Sequence, residues 1–490
     1  KSKVYIASEE DLELMSLPDF LSNKVSFIRL VPWNWVSKKG TGGDIQGIDE
    51  GTSDFLRLYW KAQELSTDEA VVSWGDPGIQ DFHNMNWSAS NPMLTGLYYR
   101  CYYQITLAND FIRQSSDANV ASKGITGVDA EAIKRYRAEA RFLRAYQYSI
   151  LMDLFGNIPF VTDAEALGSV MPKQRTRAEI FSYIETELKA IDAELVDARK
   201  NEYGRADKAA AWALLARLYL NAQVYTGTAR NTDAATYAKR VLDAGYSLIT
   251  DYTKLMRADN NVNTSEFILT INYDGLKTQN WGGTTFLTHA PVGGSMVAAQ
   301  FGVDGGWGGL RTTTGLSSKF PDLTGAADKR SQFHTSGQSA DINDLTKFTD
   351  GYAITKYRNI NMNGTPGKNL TWVDIDFPIF RSAEMNLVYA EAVLRGGTGD
   401  AIVAENAAVL KARLTEIIRN IQADKLSFTA PAITAKVGEG GFLYQAQFQY
   451  RQKKEWLGSL SATSMTDDGE LANDFTWEAA RQMPLPRSRK

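Results

Sequence analysis

The residue types that most often perform acid–base or metal chemistry are scattered along this sequence. Its three histidines, His83, His289 and His334, form no His-Glu-x-x-His motif, and none has a second ligand at helical spacing. The sequence contains neither a Gly-x-Ser-x-Gly nucleophile elbow nor a Walker loop for phosphate. We therefore expect surface or hydrogen-bonded histidines, and we predict that the protein is not an enzyme.

Two acidic segments leave alternatives open. Asp374 and Asp376 in "WVDIDFP" would face one side of a strand, where they could serve a metal or acid–base chemistry. A helix-entry loop with solvated carboxylates is the simpler interpretation. The oxygen-rich run "ADNNVNTSE" could hold a structural Ca²⁺ through Asp259, Asn261 and Glu266. A polar turn explains that run equally simply, and no cofactor is required by any motif.

Three tryptophans share an unusual context. Trp74 in "VVSWGDPGIQ", Trp281 in "QNWGGTTF" and Trp307 in "GGWGGL" are each followed directly by glycine, and all lie outside the apolar helical stripes. A buried tryptophan normally has bulky neighbours, whereas glycine beside the indole leaves a face of the ring open. An open indole suits the apolar face of a sugar ring, so we predict an arc of glycan-stacking tryptophans. The alternative is that each tryptophan anchors a loop.

The composition is that of a folded globular protein. Of 490 residues, 43% are hydrophobic and 11% aromatic, and the formal net charge is −4. Because a nucleic-acid-binding protein usually carries a basic domain or stripe, and none is present, we expect no nucleic-acid partner. Cys101 is the sole cysteine, which excludes an intramolecular disulfide and a cysteine-rich zinc site.

Helical periodicity dominates residues 50–250 and returns at 378–422. The clearest helix carries an apolar stripe of residues spaced three or four apart: Ile133, Tyr136, Ala140, Leu143, Tyr146, Ile150 and Leu154. A second helix begins after Asp207, a candidate N-cap, and carries small residues at Ala209, Ala213 and Ala216. A third is expected to open near Pro378, with a stripe at Ile379, Ala383, Leu387, Ala390 and Leu394.

These helices favour a mostly α fold in which helix pairs stack in the tetratricopeptide manner, although no strict repeat survives. Residues 255–377 differ, since they are rich in Gly, Thr, Asn and Asp, with one short strand expected in "EFILTINYDG". A long irregular segment within a compact protein is often functional. We therefore predict a helical frame that carries a loop-rich, ligand-binding insertion.

Three segments identify a family. "RAEARFLRAYQYSILMDLFGNIPF", "GRADKAAAWALLARLYLNAQVYTG" and "DFPIFRSAEMNLVYAEAVLR" closely resemble the hallmark segments of SusD-like (SusD/RagB) proteins. These are outer-membrane glycan-binding lipoproteins of Bacteroidetes polysaccharide-utilisation systems. The resemblance runs over residues 44–395 and implies one SusD-like domain, 1–490, with a tetratricopeptide-like frame. It also implies anchoring at the outer cell surface through an N-terminal lipidated cysteine, which these residues do not include.

The resemblance further implies a ligand, a site and partners. "GIDEGTSDFLR", "QELSTDEAVVSWGD", "DGLKTQNWGGTTF" and "DGGWGGL" are similar to the glycan-holding segments of the family's starch-binding prototype. By position, Trp74, Trp281 and Trp307 would cradle a curved α-glucan, starch or maltooligosaccharide, while Asp49 and Arg57 reach its hydroxyls. The implied partner is a SusC-like TonB-dependent transporter, joined by other surface glycan-binding lipoproteins and a surface amylase.

The sequence departs from the family pattern in places. An asparagine of the prototype falls at Pro77, which can donate no hydrogen bond, and "QAQFQYRQKKEWLGSL" keeps the aromatic spacing of its region but not the charges. Three alternatives therefore remain: a SusD-like binder of another polysaccharide or of peptides, a glycoside hydrolase on a helical frame, and a scaffold whose tryptophans bury against the transporter.

Overall fold

The structure is a computed structural model that describes residues 53–165 and 171–399, together with four strands between residues 431 and 478. The chain divides into two compact units, Lys1–Gly399 and Asp400–Lys490. The described residues of the first unit form twelve helices and eight short strands, so the predicted mostly α fold class is confirmed. The extent of a single domain over 1–490 stays a prediction. Within the described ranges, no helix is both long enough and apolar enough to span a bilayer.

The described helices of the first unit range from 4 to 29 residues in length, and its strands from 2 to 5. The helices are α1 (Phe55–Glu64), α2 (Ile79–His83), α3 (Pro92–Gln114), α4 (Asp117–Ser122), α5 (Gly127–Phe155), α6 (Arg177–Ala190), α7 (Lys208–Leu220), α8 (Ala222–Thr226), α9 (Asn231–Asp243), α10 (Gly283–His289), α11 (Thr314–Ser317) and α12 (Ser382–Leu394). The strands are β1 (Ala70–Val72), β2 (Ile158–Phe160), β3 (Lys173–Arg175), β4 (Phe267–Ile271), β5 (Leu310–Thr312), β6 (Phe333–His334), β7 (Tyr352–Ile354) and β8 (Phe377–Arg381).

Local sequence signals explain where the frame helices begin and end. The side chain of Asn91 accepts from the first free N–H groups of α3, and Pro92 occupies the first turn, where its missing N–H costs nothing. Asp207 caps α7 by accepting from the N–H of Ala210, as predicted. Helix α5 ends at Gly156, whose φ of +73° lies in the left-handed region that favours glycine.

The frame helices pack in pairs, α3 with α5, α7 with α9 and α9 with α12. The predicted stripe of α5 is buried at Ile133, Ala140, Leu143, Tyr146 and Ile150, while Tyr136 and Leu154 are half-buried. The alanines of α7 at positions 209, 213 and 216 are fully buried, as close helix approach requires. On another face of α5, Arg141 and Arg144 form ion pairs with Glu187 of α6 at 3.0 and 2.9 Å.

The prediction for the third helix was wrong in its start and in part of its stripe. Residues 377–381 form strand β8, in which Pro378 lies opposite Thr270 of β4, and the helix begins only at Ser382. A two-stranded sheet tolerates proline because each strand has a free edge. The stripe counted from Ile379 therefore started in a strand and ran out of phase. Leu387 and Leu394 are 49% and 39% exposed, whereas Ala390 of the predicted stripe is buried, together with Met385, Val388, Tyr389 and Ala392.

Two small sheets organise residues 255–377. The predicted strand β4 pairs antiparallel with β8. A four-stranded antiparallel sheet of order β1-β5-β7-β6 was not predicted, because its strands are only two or three residues long and carry no readable alternation. The remaining helices and strands of this segment are short, as expected of a loop-rich insertion.

The second unit contains an antiparallel sheet of order β12-β11-β10-β9. Its strands are β9 (Pro431–Ile433), β10 (Phe442–Gln449), β11 (Leu457–Met465) and β12 (Leu471–Glu478). Strands β10 and β11 pair along their whole length, from Phe442 opposite Ser464 to Gln449 opposite Leu457. The segment that departs from the family pattern thus includes parts of two adjacent strands.

Candidate functional site

Strands β1 and β5 bring two of the predicted tryptophans together. Val72 lies opposite Leu310, and the next residue, Ser73, donates its N–H to the carbonyl of Gly309 at 3.0 Å. Trp74 therefore meets Trp307, with ring centroids 6.1 Å apart. The indole N–H of Trp74 donates to the carbonyl of Trp307 at 3.1 Å. We call Trp74 and Trp307 the inner pair.

Strands β4 and β8 bring a second pair together in the same way. Ile271 lies opposite Phe377, so the chain after β4 runs beside the chain before β8. Trp281 and Trp372 meet there, with centroids 4.3 Å apart and ring planes inclined by 54°. We call these two the outer pair. Trp281 also lies 6.1 Å from Trp307, so the four rings form one series, the aromatic surface.

Helix α10 joins the two pairs. It begins at Gly283, directly after the Trp281–Gly282 step, and it ends at His289, whose imidazole stacks on Trp307 at 5.0 Å with planes inclined by 20°. Phe286, one turn earlier, contacts the edge of Trp74 at 6.0 Å. The carbonyl of His289 accepts from the N–H of Trp307 at 2.9 Å. The helix thus fixes the spacing between Trp281 and the inner pair.

His289 is the histidine that the site uses, although nothing in the sequence distinguished it from the other two. Its Nδ1 lies 2.7 Å from the carbonyl oxygen of Gly305 and its Nε2 lies 3.0 Å from that of Thr371. The ring therefore connects the loop of Trp307 to the loop of Trp372. Burial lowers the pKa of His289 below 6.5, although both carbonyls and Asp304 act to raise it.

Asp54 is a positioning residue that sequence reasoning missed. Its fully buried carboxylate caps α1 by accepting from the N–H of Arg57 at 2.9 Å, and it accepts from the N–H of Gly283 at 2.8 Å. One side chain therefore holds the start of α1 and the start of α10. Burial is the dominant effect and raises the pKa of Asp54. The signal available in the sequence was its place directly before the apolar periodicity of α1.

Arg57, predicted to reach sugar hydroxyls, is largely buried, and its guanidinium lies over faces of the rings. Its guanidinium donates to the carbonyl of Trp281 at 3.0 Å and lies 5.0 to 6.0 Å from the centroids of Phe286, Trp74 and Trp307. One turn along α1, Lys61 is fully buried, and burial together with Arg57 places its pKa well below 10.5. The other predicted polar residue, Asp49, lies outside the described residues.

The glycines beside the tryptophans serve the protein's own packing more than a ligand. A Cβ on Gly309 would lie 2.3 Å from the indole of Trp74, one on Gly306 would lie 2.2 Å from the carbonyl oxygen of Val292, and one on Gly282 would overlap Asp54. Only Gly75 and Gly305, among those beside the three predicted tryptophans, have open space at this position. The prediction that these glycines clear a ring face was therefore wrong for most of them.

Asp374 and Asp376 are buried structural acceptors, so the expectation of solvated carboxylates was wrong. Asp374 accepts from the N–H of Gly275 at 2.8 Å, and Asp376 accepts from the N–H of Tyr273 at 2.7 Å and from the hydroxyl of Tyr203 at 2.8 Å. Burial raises the pKa of Asp376 to about 7. These bonds hold the chain after β4 against the chain that carries Trp372.

The candidate calcium segment uses its carboxylates within the protein. Asp259 accepts from the N–H of Met362, whereas Glu266 accepts from the N–H of Ile249 and pairs with Arg381 at 2.7 Å. In the part of the chain that the structure describes, no group of three or more His, Cys, Asp or Glu residues is placed to hold a metal. Binding of Ca²⁺ through Asp259, Asn261 and Glu266 stays a prediction.

The aromatic surface is accessible from outside. Trp281 is 40% exposed, and Trp74, Trp307 and Trp372 are half-buried. Trp372 was missed because valine rather than glycine follows it; its place directly before the acidic pair was the signal available. A helical frame that carries a row of partly exposed indoles offers a surface suited to ligands with flat apolar faces.

Comparison with known proteins gives the family. The chain is 34% identical over 440 residues to the starch-binding protein SusD of Bacteroides thetaiotaomicron, covering 79% of this chain and 77% of SusD. A family described as starch-binding and associating with the outer membrane matches residues 60–220. This chain belongs to the SusD-like family of outer-membrane-associated glycan-binding proteins.

Solved structures share the fold. A SusD superfamily protein from B. thetaiotaomicron aligns with a TM-score of 0.57 at 17% identity, over 79% of this chain and 78% of its own. The surface glycan-binding protein A of the same organism, in complex with laminarihexaose, aligns with a TM-score of 0.56 at 20% identity, over 78% and 82%. The predicted tetratricopeptide-like SusD architecture is therefore confirmed.

Proposed function

We propose that the protein captures an α-glucan, starch or maltooligosaccharide, on the aromatic surface and passes it to a SusC-like TonB-dependent transporter. The observation that carries the proposal is the continuous series of partly exposed rings Trp74, Trp307 and Trp281, spaced 6.1 Å apart. Similarity to a starch-binding protein at 34% identity favours α-glucan as the ligand.

Binding consists of ring stacking with peripheral hydrogen bonds. Each indole covers the apolar face of a sugar ring, and the hydroxyls at the sugar's edge remain free for polar groups. Because a shallow surface recovers little free energy beyond the cost of association, we expect a Kd of roughly micromolar to millimolar. Arg57 contributes mainly by holding the carbonyl of Trp281, and Asp49 is the proposed partner of a sugar hydroxyl.

The test is retention in affinity gels that contain amylopectin. Trp307→Ala and Trp281→Ala should each abolish retention while the circular dichroism spectrum stays that of the wild type. Trp87→Ala is the matched control, because Trp87 is 42% exposed and contacts Phe82 rather than the aromatic surface. Undiminished retention of both site variants would remove the site from the proposal.

A second candidate is a β-glucan ligand within the same family. The observation that favours it is the fold shared with a protein solved in complex with laminarihexaose. A glycan array carrying starch, laminarin and peptide controls separates these ligands: laminarin without starch selects the second candidate, and peptide binding alone rejects both.

We propose binding without hydrolysis, at the outer cell surface. Incubation with maltoheptaose should yield no shorter oligosaccharides, and their appearance would select the hydrolase alternative.

Co-purification with a SusC-like transporter tests the transfer partner. The proteins recovered in the same complex show whether other surface glycan-binding lipoproteins and a surface amylase are also partners. Lipid anchoring is tested by palmitate labelling of the protein in cells.

A further inference from the structure

Trp372 extends the aromatic surface beyond the three tryptophans identified from sequence. Its ring centroid lies 4.3 Å from that of Trp281, closer than any other pair in the series. Its ring contact within the series is with Trp281 alone, so it lies at the outer end, with Trp74 at the other. A ligand that follows the rings meets Trp372 only after it has passed Trp281.

The loop around Trp372 is ordered by the protein itself. The N–H of Trp372 donates to Asn369 Oδ1 at 2.9 Å. The neighbouring carbonyl oxygen of Thr371 lies 3.0 Å from Nε2 of His289. The Asp374 carboxylate accepts from the N–H of Gly275, whose Cα packs on the carbonyl of Trp372. The main chain that carries Trp372 is therefore held in place by the protein, and the ring itself packs on Trp281, which reduces the ordering cost of binding.

Trp372 is surrounded by exposed apolar side chains and by charged side chains that have hydrogen-bonding partners. Leu276 and Leu370, on the two adjoining loops, are 61% and 44% exposed. On these loops Lys368 pairs with Asp274 at 2.8 Å and with Asp374 at 3.4 Å, and the carboxylate of Asp304 accepts from the hydroxyl of Thr371. This end of the surface therefore suits a neutral ligand with apolar faces better than a charged one.

We propose that Trp372 forms an additional sugar-binding position, through which the protein prefers longer neutral glucan chains to short ones. This inference rests on the proposed glycan-binding function and deepens it. A short oligosaccharide is held by the inner pair and Trp281, whereas a longer one also stacks on Trp372. Trp372 is thus a determinant of chain-length preference, distinct from the three tryptophans that hold any bound glucan.

The experiment is isothermal titration calorimetry of the full chain with maltoheptaose and maltotriose, and with laminarihexaose as a third probe. Trp372→Ala should weaken maltoheptaose binding about tenfold, as expected for loss of one stacked ring, and change maltotriose binding less than about twofold. Trp372→Phe, which keeps a ring, should recover most of the lost affinity. Trp87→Ala should leave all affinities unchanged.

The outcomes separate this inference from the function on which it rests. Unchanged maltoheptaose affinity in Trp372→Ala, while Trp307→Ala loses binding, overturns the role of Trp372 alone. An equal loss for both maltooligosaccharides also overturns it, because Trp372 would then act through the placement of Trp281. Binding of laminarihexaose alone replaces the α-glucan proposal; a tenfold loss in Trp372→Ala then still supports the extra position, and no loss overturns it. A wild-type protein that binds none of the three sugars overturns both proposals.

Discussion

The inner and outer pairs of tryptophans are brought together in the same way but are held in place by different contacts. In each pair, two antiparallel strands bring a tryptophan after one strand beside a tryptophan before the other. The inner pair has a side-chain hydrogen bond from Trp74 to the Trp307 carbonyl, and the indole of Trp74 packs on the bare Cα of Gly309. The outer pair is positioned through the main chain around it, by Arg57, Asp374 and Asp376.

Under the proposed function, we infer from this difference two tasks within one surface. Close packing and a direct hydrogen bond fix the relative orientation of the inner rings, so this pair suits the recognition of ligand curvature. Trp281 is more exposed than the two inner rings, and it contacts Trp372 by ring packing. The outer pair is therefore the place where ligand preference can change with little effect on the frame. The predictions below test this division.

The largest effect is expected at Asp54, because its side chain holds the start of α1 and the start of α10. Asp54→Ala removes the cap of α1 and leaves the buried N–H of Gly283 without its carboxylate acceptor. We expect a loss of about 3 kcal/mol in the free energy of unfolding, measured by urea denaturation. Asp54→Asn is the control, because its amide oxygen can still accept, and it should lose less than half as much. Equal losses in the two variants would contradict a hydrogen-bonding role.

The rigidity of the inner pair is tested at a glycine. In Gly309→Ala the added Cβ would lie 2.3 Å from the indole of Trp74, so the ring must move. We expect about 2 kcal/mol of destabilisation and at least tenfold weaker glycan binding. Gly305→Ala, on the same loop, meets nothing within 4 Å and should behave as the wild type. Retained glycan affinity in Gly309→Ala would show that the inner rings are not fixed by this contact.

The helical frame was predictable because its signals are local and repeated. The stripe of α5, the Asp207 cap and the Gly156 end each follow from residues within one or two turns. The start of α12 was misplaced because β8 owes its existence to pairing with β4, more than a hundred residues earlier, which periodicity cannot reveal. Pairing with β4 places Pro378 in a strand, although the apolar spacing around it is also compatible with a helix.

The candidate site was predictable in the types of its rings but not in the contacts that hold them. A glycine after the indole selected Trp74, Trp281 and Trp307, which the structure brings together, yet the same criterion missed Trp372. Asp54 and His289 act through contacts with residues 229 and 82 positions away in the chain. The sequence around Asp54 indicates a helix cap, but neither sequence neighbourhood reveals the distant partner, so only the folded chain identifies these contacts.

The support of the outer pair should appear in the pH dependence of stability. Burial raises the pKa of Asp376 from 3.8 to about 7, so the folded protein holds a proton that the unfolded chain has released. That contribution to stability is complete below pH 3.8 and is lost as the pH rises through 7. Relative to Asp376→Asn, which never ionises, the wild type should therefore lose about 2 kcal/mol between pH 5 and pH 8. Parallel stability curves for the two proteins would contradict the buried, proton-binding carboxyl.

The smallest effect is expected at His289, which connects the loop of Trp307 to the loop of Trp372. His289→Phe keeps a ring against Trp307 but removes the imidazole nitrogens that face the carbonyls of Gly305 and Thr371. A neutral imidazole has one N–H and can donate to only one of the two carbonyls at a time, so we expect a loss of about 1 kcal/mol near pH 7.5. His83→Phe, at an exposed histidine outside the surface, should change the free energy of unfolding by less than half of this.

The acid side of the same measurement decides whether His289 acts as a neutral or a charged bridge. Burial lowers its pKa below 6.5, so the unfolded chain binds a proton before the folded protein does. Stability contributed by the neutral ring is therefore present above pH 6.5 and is lost as the pH falls toward the folded pKa. The advantage of the wild type over His289→Phe should shrink between pH 7.5 and pH 5. If the advantage instead grows, the imidazolium donates to both carbonyls at once, and the two halves of the surface are joined more firmly in acid than at neutral pH.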